Sequence, residues 1–130
     1  SISPIRVTCR QLDSVSSEIA KAPSFVKIDV QGFEQDVLQG ASKCFERWNP
    51  RPSMLLEFEP DGILSAGGSP DAFLNRLAAM DYRFARVSEG VLRPITREGR
   101  HKYSDWAGIG CNLFAVPEER IVELSLVRLG

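Results

Sequence analysis

Asp29, Glu57 and Glu59 are the residues whose types and spacing best suit chemistry, together with Lys27 two positions before Asp29. The acids close two apolar runs, FVKIDV at residues 25–30 and SMLLEFE at 53–59. Side chains of an extended chain alternate between faces, so Lys27 shares a face with Asp29, and Glu57 with Glu59. Four charged groups would then meet on one rim if the two runs lie side by side. Asp29 there would serve as general base toward a hydroxyl, or together with Glu57 ligate a divalent cation through oxygen. The same residues also have a structural reading. Lys27 would neutralise Glu57 across neighbouring strands, while Asp29 and Gln31 cap the helix that begins near Gly32. Glu34, in the first turn of that helix, suits the positive end of its dipole.

Other chemistry is thinner. His101, the single histidine, stands near Tyr103 and Trp106 in an Arg-rich stretch, and no serine or cysteine occupies a nucleophile elbow. Trp106 with Tyr103 would pack over an acceptor such as a sugar ring, or else cover a sheet edge. Cys9, Cys44 and Cys111 are odd in number and far apart, which gives neither a disulfide framework nor a zinc pair and fits a reducing cytoplasm. Sixteen Lys and Arg against seventeen Asp and Glu leave a net charge of -1, so no global field draws in nucleic acid. The basic cluster of Arg93, Arg97, Arg100 and Lys102 is interrupted by Pro94 and Glu98 and reads as a solvated loop. No apolar run approaches the roughly 20 residues of a membrane span, and the expectation is a soluble, cytoplasmic protein.

The elements that must position the rim follow from hydrophobic period and punctuation. With 130 residues, 43% of them hydrophobic, the chain supports one α/β core and is too short for two. Residues 5–8 are β-prone, and Asp13 with Ser14 offers cap chemistry to a short helix. Residues 25–30 are nearly continuous in apolarity, which predicts an inner strand covered on both faces and the best-buried segment of the chain. Val37, Leu38, Ala41, Phe45 and Trp48 form one helical stripe over residues 33–48, ended by Pro50 and Pro52. Gly40 weakens that helix unless something packs closely against it. Residues 53–58 are a second inner strand and complete a strand–helix–strand unit. Gly67 and Gly68 form a joint, after which Ser69 caps a helix with Pro70 at its first position and Phe73, Leu74, Leu77 and Ala78 as its buried stripe. Residues 82–87 and 111–116 read as strands, with a tight turn at Glu89–Gly90 and a short extra strand at 91–95. The pattern of residues 118–129 does not decide between helix and strand.

The run FVKIDVQGFEQDVLQGA at residues 25–41, followed by RPSMLLE at 51–57, resembles the FkbM methyltransferases, whose signature reads approximately KIDVEGxExxVLxGA and then RPxxLLE. Leu12-Asp13 resembles the family's LD element, and Gln31 departs from it where a Glu is usual. The resemblance implies a Rossmann-like class I methyltransferase sheet, of which residues 1–130 would form the C-terminal part as a single domain. Residues 25–30, 53–58, 82–87 and 111–116 would be strands four, five, six and seven, in spatial order 4-5-7-6 with strand seven antiparallel and helices flanking. It implies transfer of a methyl group from S-adenosylmethionine to a hydroxyl of a small molecule or sugar. Asp29 and Glu57 would be catalytic, with a divalent cation as an option, and Glu34, Glu59 and Trp106 would bind the acceptor. No GxGxxG-like turn follows a first strand here, so the cofactor cradle is missing and little activity is expected of this chain alone. Strand four would keep an open edge, a template for self-association. Two rivals stand beside this reading: a non-catalytic half-domain that binds a partner through that edge, and a metal-dependent hydrolase using the same carboxylates.

Overall fold

A computed structural model describes residues 2–95 and 110–122. Its centre is a five-stranded sheet in the order β1-β2-β5-β3-β4, built from β1 (Phe25–Ile28), β2 (Ser53–Phe58), β3 (Tyr82–Ser88), β4 (Val91–Pro94) and β5 (Cys111–Pro117). β1 and β2 are parallel, in a register that pairs Phe25 with Ser53 and Ile28 with Leu56. β5 runs antiparallel to both β2 and β3, and β4 hangs on β3 through the turn at Glu89 and Gly90, both at positive φ as a tight hairpin turn requires. The chain is therefore mixed α/β, with an open sheet and helices packed on it.

The helices are α1 (Leu12–Val15), α2 (Glu34–Gly40), α3 (Ser42–Arg47), α4 (Pro60–Ser65) and α5 (Pro70–Ala79), with short 3-10 turns at Ser16–Glu18 and Glu118–Arg120. Leu38, Phe45, Ile63, Phe73 and Leu77 from these helices join Ile28, Met54, Leu56, Phe58, Phe84 and Leu113 of the sheet in one buried cluster. Phe58 stacks on Phe73 with ring centroids 5.9 Å apart. Truncating either ring to Ala would cost about 3–5 kcal/mol, because the cavity cannot collapse between rigid elements.

Several expectations need correction. Residues 5–8 form no strand, and Ile5 and Val7 stand 87% and 78% exposed, since nothing among the described residues pairs with them. β1 stops at Ile28 and is buried on one side only: Val26 and Ile28 face the helices, while Phe25 and Lys27 are exposed on the other face. The best-buried strand is instead β2, where Met54, Leu56 and Phe58 are fully covered. The single helix over residues 33–48 breaks at Ala41 (φ -114, ψ 7) into α2 and α3. Gly40 allows the close approach of Gln11, whose Cγ would lie 3.4 Å from an added Cβ. α1 is not capped by Asp13 or Ser14. Asp13 reaches across to α3, accepting from Lys43 N at 3.0 Å and Cys44 N at 2.9 Å, and so caps a helix 30 residues away in sequence. α4 was not foreseen, although Pro60 at its first position and Ile63 and Leu64 one turn on carry a helix-start pattern. Ser69 does cap α5, accepting from Ala72 N at 3.2 Å, and Ser53–Phe58 is the strand that its sequence predicts.

Candidate functional site

Register decides where the acids go. Continuing the β1–β2 pairing by one residue beyond Ile28 and Leu56 sets Asp29 abreast of Glu57 at the carboxyl end of both strands. Glu57 in turn faces the neutral Asn112 of β5. Glu59 follows as the residue that opens α4, between two glycines that leave it room. A Cβ on Gly110 would stand 3.1 Å from its Cγ, and one on Gly62 would stand 3.6 Å from its Oε2. Asp29, Glu57 and Glu59 therefore converge, as their spacing suggests.

Hydrogen bonding to the Asp29 carboxyl, then to that of Glu59, followed by partial burial and the two negative charges, pushes Glu57 up to about 7. Two carboxyls bond to one another only when one carries a proton, so the cluster retains a proton that isolated acids would have lost. An acid that titrates near neutrality is matched to proton transfer at physiological pH. No cation contributes to that shift.

Lys27 does not neutralise Glu57. It pairs in register with Leu55 and its side chain is exposed, so the ion pair considered from the sequence is absent. Nor do Asp29 and Gln31 cap α2: the residue before that helix is Phe33, no side chain caps it, and Gln31 Nε2 donates to Asp29 Oδ1 at 3.3 Å. Glu34 is 1% exposed, and its Oε1 accepts from Val30 N and Gly32 N at 3.3 Å each. Its Oε2 is buried without a partner. Trp106, His101, Tyr103, Arg97, Arg100 and Lys102 lie outside the described residues.

Cofactor and metal fit are set by the same geometry. The turn from β1 through Gly32 into α2 has the strand–glycine–helix form that cradles nucleotides elsewhere. The side on which a Cβ would stand is filled here, because Gly62 O lies 2.5 Å from the position of a Gly32 Cβ. The absence of a side chain at Gly32 lets the turn pack against α4. The anionic rim suits a sulfonium cation, and a cavity of about 340 Å³ opens beside the turn, lined among others by Gly32, Gln35, Asp36, Gly68 and Ser69. Among the described residues no group of three or more His, Cys, Asp or Glu has an arrangement that could hold a metal ion, so the two-carboxylate cation site gains no support. Cys111, beside Phe58 at the end of β2, is pushed up to about 11 by burial and is no thiolate nucleophile.

A family model described as Methyltransferase FkbM domain matches residues 1–84. The chain belongs to this FkbM methyltransferase family. The matched region contains α1 through β2, the Asp29–Glu57–Glu59 rim and α5, so the acids sit inside the FkbM portion of the chain. No curated protein and no solved structure matches the sequence. Among the described residues, no FkbM helix is long and apolar enough to cross a membrane.

Proposed function

We propose that this FkbM chain carries the acceptor side of an O-methyltransferase that uses S-adenosylmethionine, with Glu57 as the group that takes the proton of the acceptor hydroxyl. The observation that carries the reading is the three-carboxylate cluster at the carboxyl ends of two adjacent parallel strands, where open α/β sheets place their ligands. A hydroxyl gains nucleophilicity as its proton leaves, and a base near 7 accepts that proton without being locked in its protonated form. Asp29 and Glu59 hold Glu57 at that value and supply the negative charge that favours a cationic methyl donor over the neutral product. The side-by-side placement of β1, β2, β5 and β3, with β5 reversed, supports the class I assignment of these strands.

S-adenosylmethionine supplies the electrophilic methyl group when bound. Because no glycine-rich loop after a first strand is present in residues 1–130, the chain by itself should meet that molecule weakly and chiefly through the rim. Titrating the chain with S-adenosylmethionine while following the side-chain carbonyl carbons of Asp29, Glu57 and Glu59 by NMR tests this. Shifts confined to those three carboxyls, lost in Glu57→Gln, are expected. Absence of any response at about 10 mM, or tight binding remote from the rim, would overturn the proposal.

A second reading draws on β1 itself. It is an edge strand with Phe25 50% exposed on its uncovered face, and unpaired edges recruit other strands. Self-association through this edge is expected to appear as a concentration-dependent sedimentation coefficient. A monomer that persists at high concentration rejects it.

A further inference from the structure

Glu34 is 1% exposed, and its side chain is folded back onto the turn that follows β1. Charged groups are seldom fully buried unless they are paired, and this one has no cation beside it among the described residues. A single oxygen, Oε1, collects the amides of Val30 and Gly32, the two residues flanking Gln31. The other oxygen has no partner at all, a kind of orphan that calls for explanation. Across and just beyond the two bonded amides the backbone takes two consecutive positive-φ steps, Gln31 at φ 56 and Gly32 at φ 102. A non-glycine residue does not hold such a conformation unless its surroundings impose it.

The turn stands directly against the rim. Asp29 is the residue before Val30, beyond the last paired residue of β1, so no ladder bond to β2 fixes it. What limits its position is the turn that follows. Besides the carboxyl–carboxyl bond to Glu57, Asp29 accepts from Gln31 Nε2 at its Oδ1, a bond that is exposed and long at 3.3 Å.

We infer that Glu34 is the positioning residue of the rim, its buried carboxyl locking the Val30–Gly32 turn so that Asp29 stays within reach of Glu57. It touches neither acceptor nor donor and acts through Asp29. The inference rests on the carboxylate-rim reading above and adds to it a residue that the sequence had suggested for acceptor binding.

Side-chain carboxyl titration of the full chain by carbon NMR tests it, comparing the native protein with Glu34→Gln, Glu34→Asp and Glu34→Ala. Gln keeps an acceptor oxygen for both amides, so the Glu57 midpoint should stay within about 0.3 pH units of the native value, while Ala and Asp lower it by more than about one unit. Asp is one methylene too short to reach both amides yet preserves the charge, and it provides the measurement if Ala does not fold. A brace that served stability alone would lower the urea midpoint and leave Glu57 where it was. A native midpoint near 7 that persists in folded Glu34→Ala or Glu34→Asp overturns the inference and leaves the rim intact. A native Glu57 that already titrates in the ordinary carboxylate range overturns both.

Discussion

Gly32→Ala tests whether the contact between the β1–α2 turn and α4 holds the rim together. The added methyl would lie 2.5 Å from Gly62 O, 2.7 Å from Gly62 C and 3.3 Å from Ile63 N, all backbone atoms that no rotamer change can remove. Two costs then combine. Holding φ at +102 with a Cβ present costs about 1–3 kcal/mol, since only glycine is comfortable there. Displacing the start of α4 against a packed core adds about 1–3 kcal/mol of overpacking. Against a total stability of about 5–15 kcal/mol, the loss is a large share. Urea unfolding followed by far-UV circular dichroism should show a midpoint lower by more than about 1 M with an unchanged slope. Gly67→Ala is the control, because Gly67 has φ +84 but nothing within 4 Å of an added Cβ, and it should lose only the backbone part. The consequence reaches the site, for a Cβ on Gly62 would stand 3.8 Å from Gly32 Cα and 3.6 Å from Glu59 Oε2, so the two residues neighbour one another there. If Gly32→Ala and Gly67→Ala shift the midpoint equally, the close approach carries no energy, and Gly32 is present for its φ alone.

Further outcomes follow from the same structure. Asp29→Asn removes the partner with the largest effect on Glu57, and should bring the Glu57 midpoint down from about 7 by more than about one unit in a carboxyl NMR titration. Because Glu57 titrates above its usual value when folded, its contribution favours the folded chain most at low pH and is lost as pH rises through about 7. Asp29→Asn should therefore flatten that part of the stability–pH curve measured by urea unfolding. Glu119 behaves in the opposite sense: hydrogen bonds from the Arg51 side chain pull it down to about 2 against partial burial, so its stabilisation is present above about 4.5 and fades as pH falls toward 2. Glu119→Gln should cost about 1 kcal/mol or less at neutral pH, this being a partly exposed bidentate pair, and nothing near pH 2. Asp13→Ala should lower the urea midpoint more than Ser14→Ala, since Asp13 caps α3 whereas Ser14 Oγ bonds only within its own turn, to Gln11 O. Burial pushes Asp13 up, but the amides of Lys43 and Cys44 outweigh it and hold it below the usual value, so this cap weakens on acidification.

The rim was legible before any coordinates because strands carry a period of two and because acids that end apolar runs must sit where strands leave the core. Ser53–Phe58, the cap at Ser69 and the hairpin at Glu89–Gly90 were legible for the same local reasons: period, hydrogen-bonding side chains and φ preferences act over a few residues. The roles of Asp13 and Glu34 were not. Both are acids near helix starts, and a local rule assigns each to the nearest helix. Asp13 instead serves α3, and Glu34 turns back onto the strand end before it.

By itself the sequence determined the α/β class, the strands that bear the acids and the family to which the chain belongs, since each is written in short-range pattern. Only the tertiary structure decided that Asp29 stands abreast of Glu57, that Lys27 pairs with Leu55 and forms no ion pair with Glu57, that Gly62 packs against Gly32, and that β1 is covered on one face. Those facts depend on register and on which segments pack against which, and contacts between residues tens of positions apart leave no periodic trace in the chain.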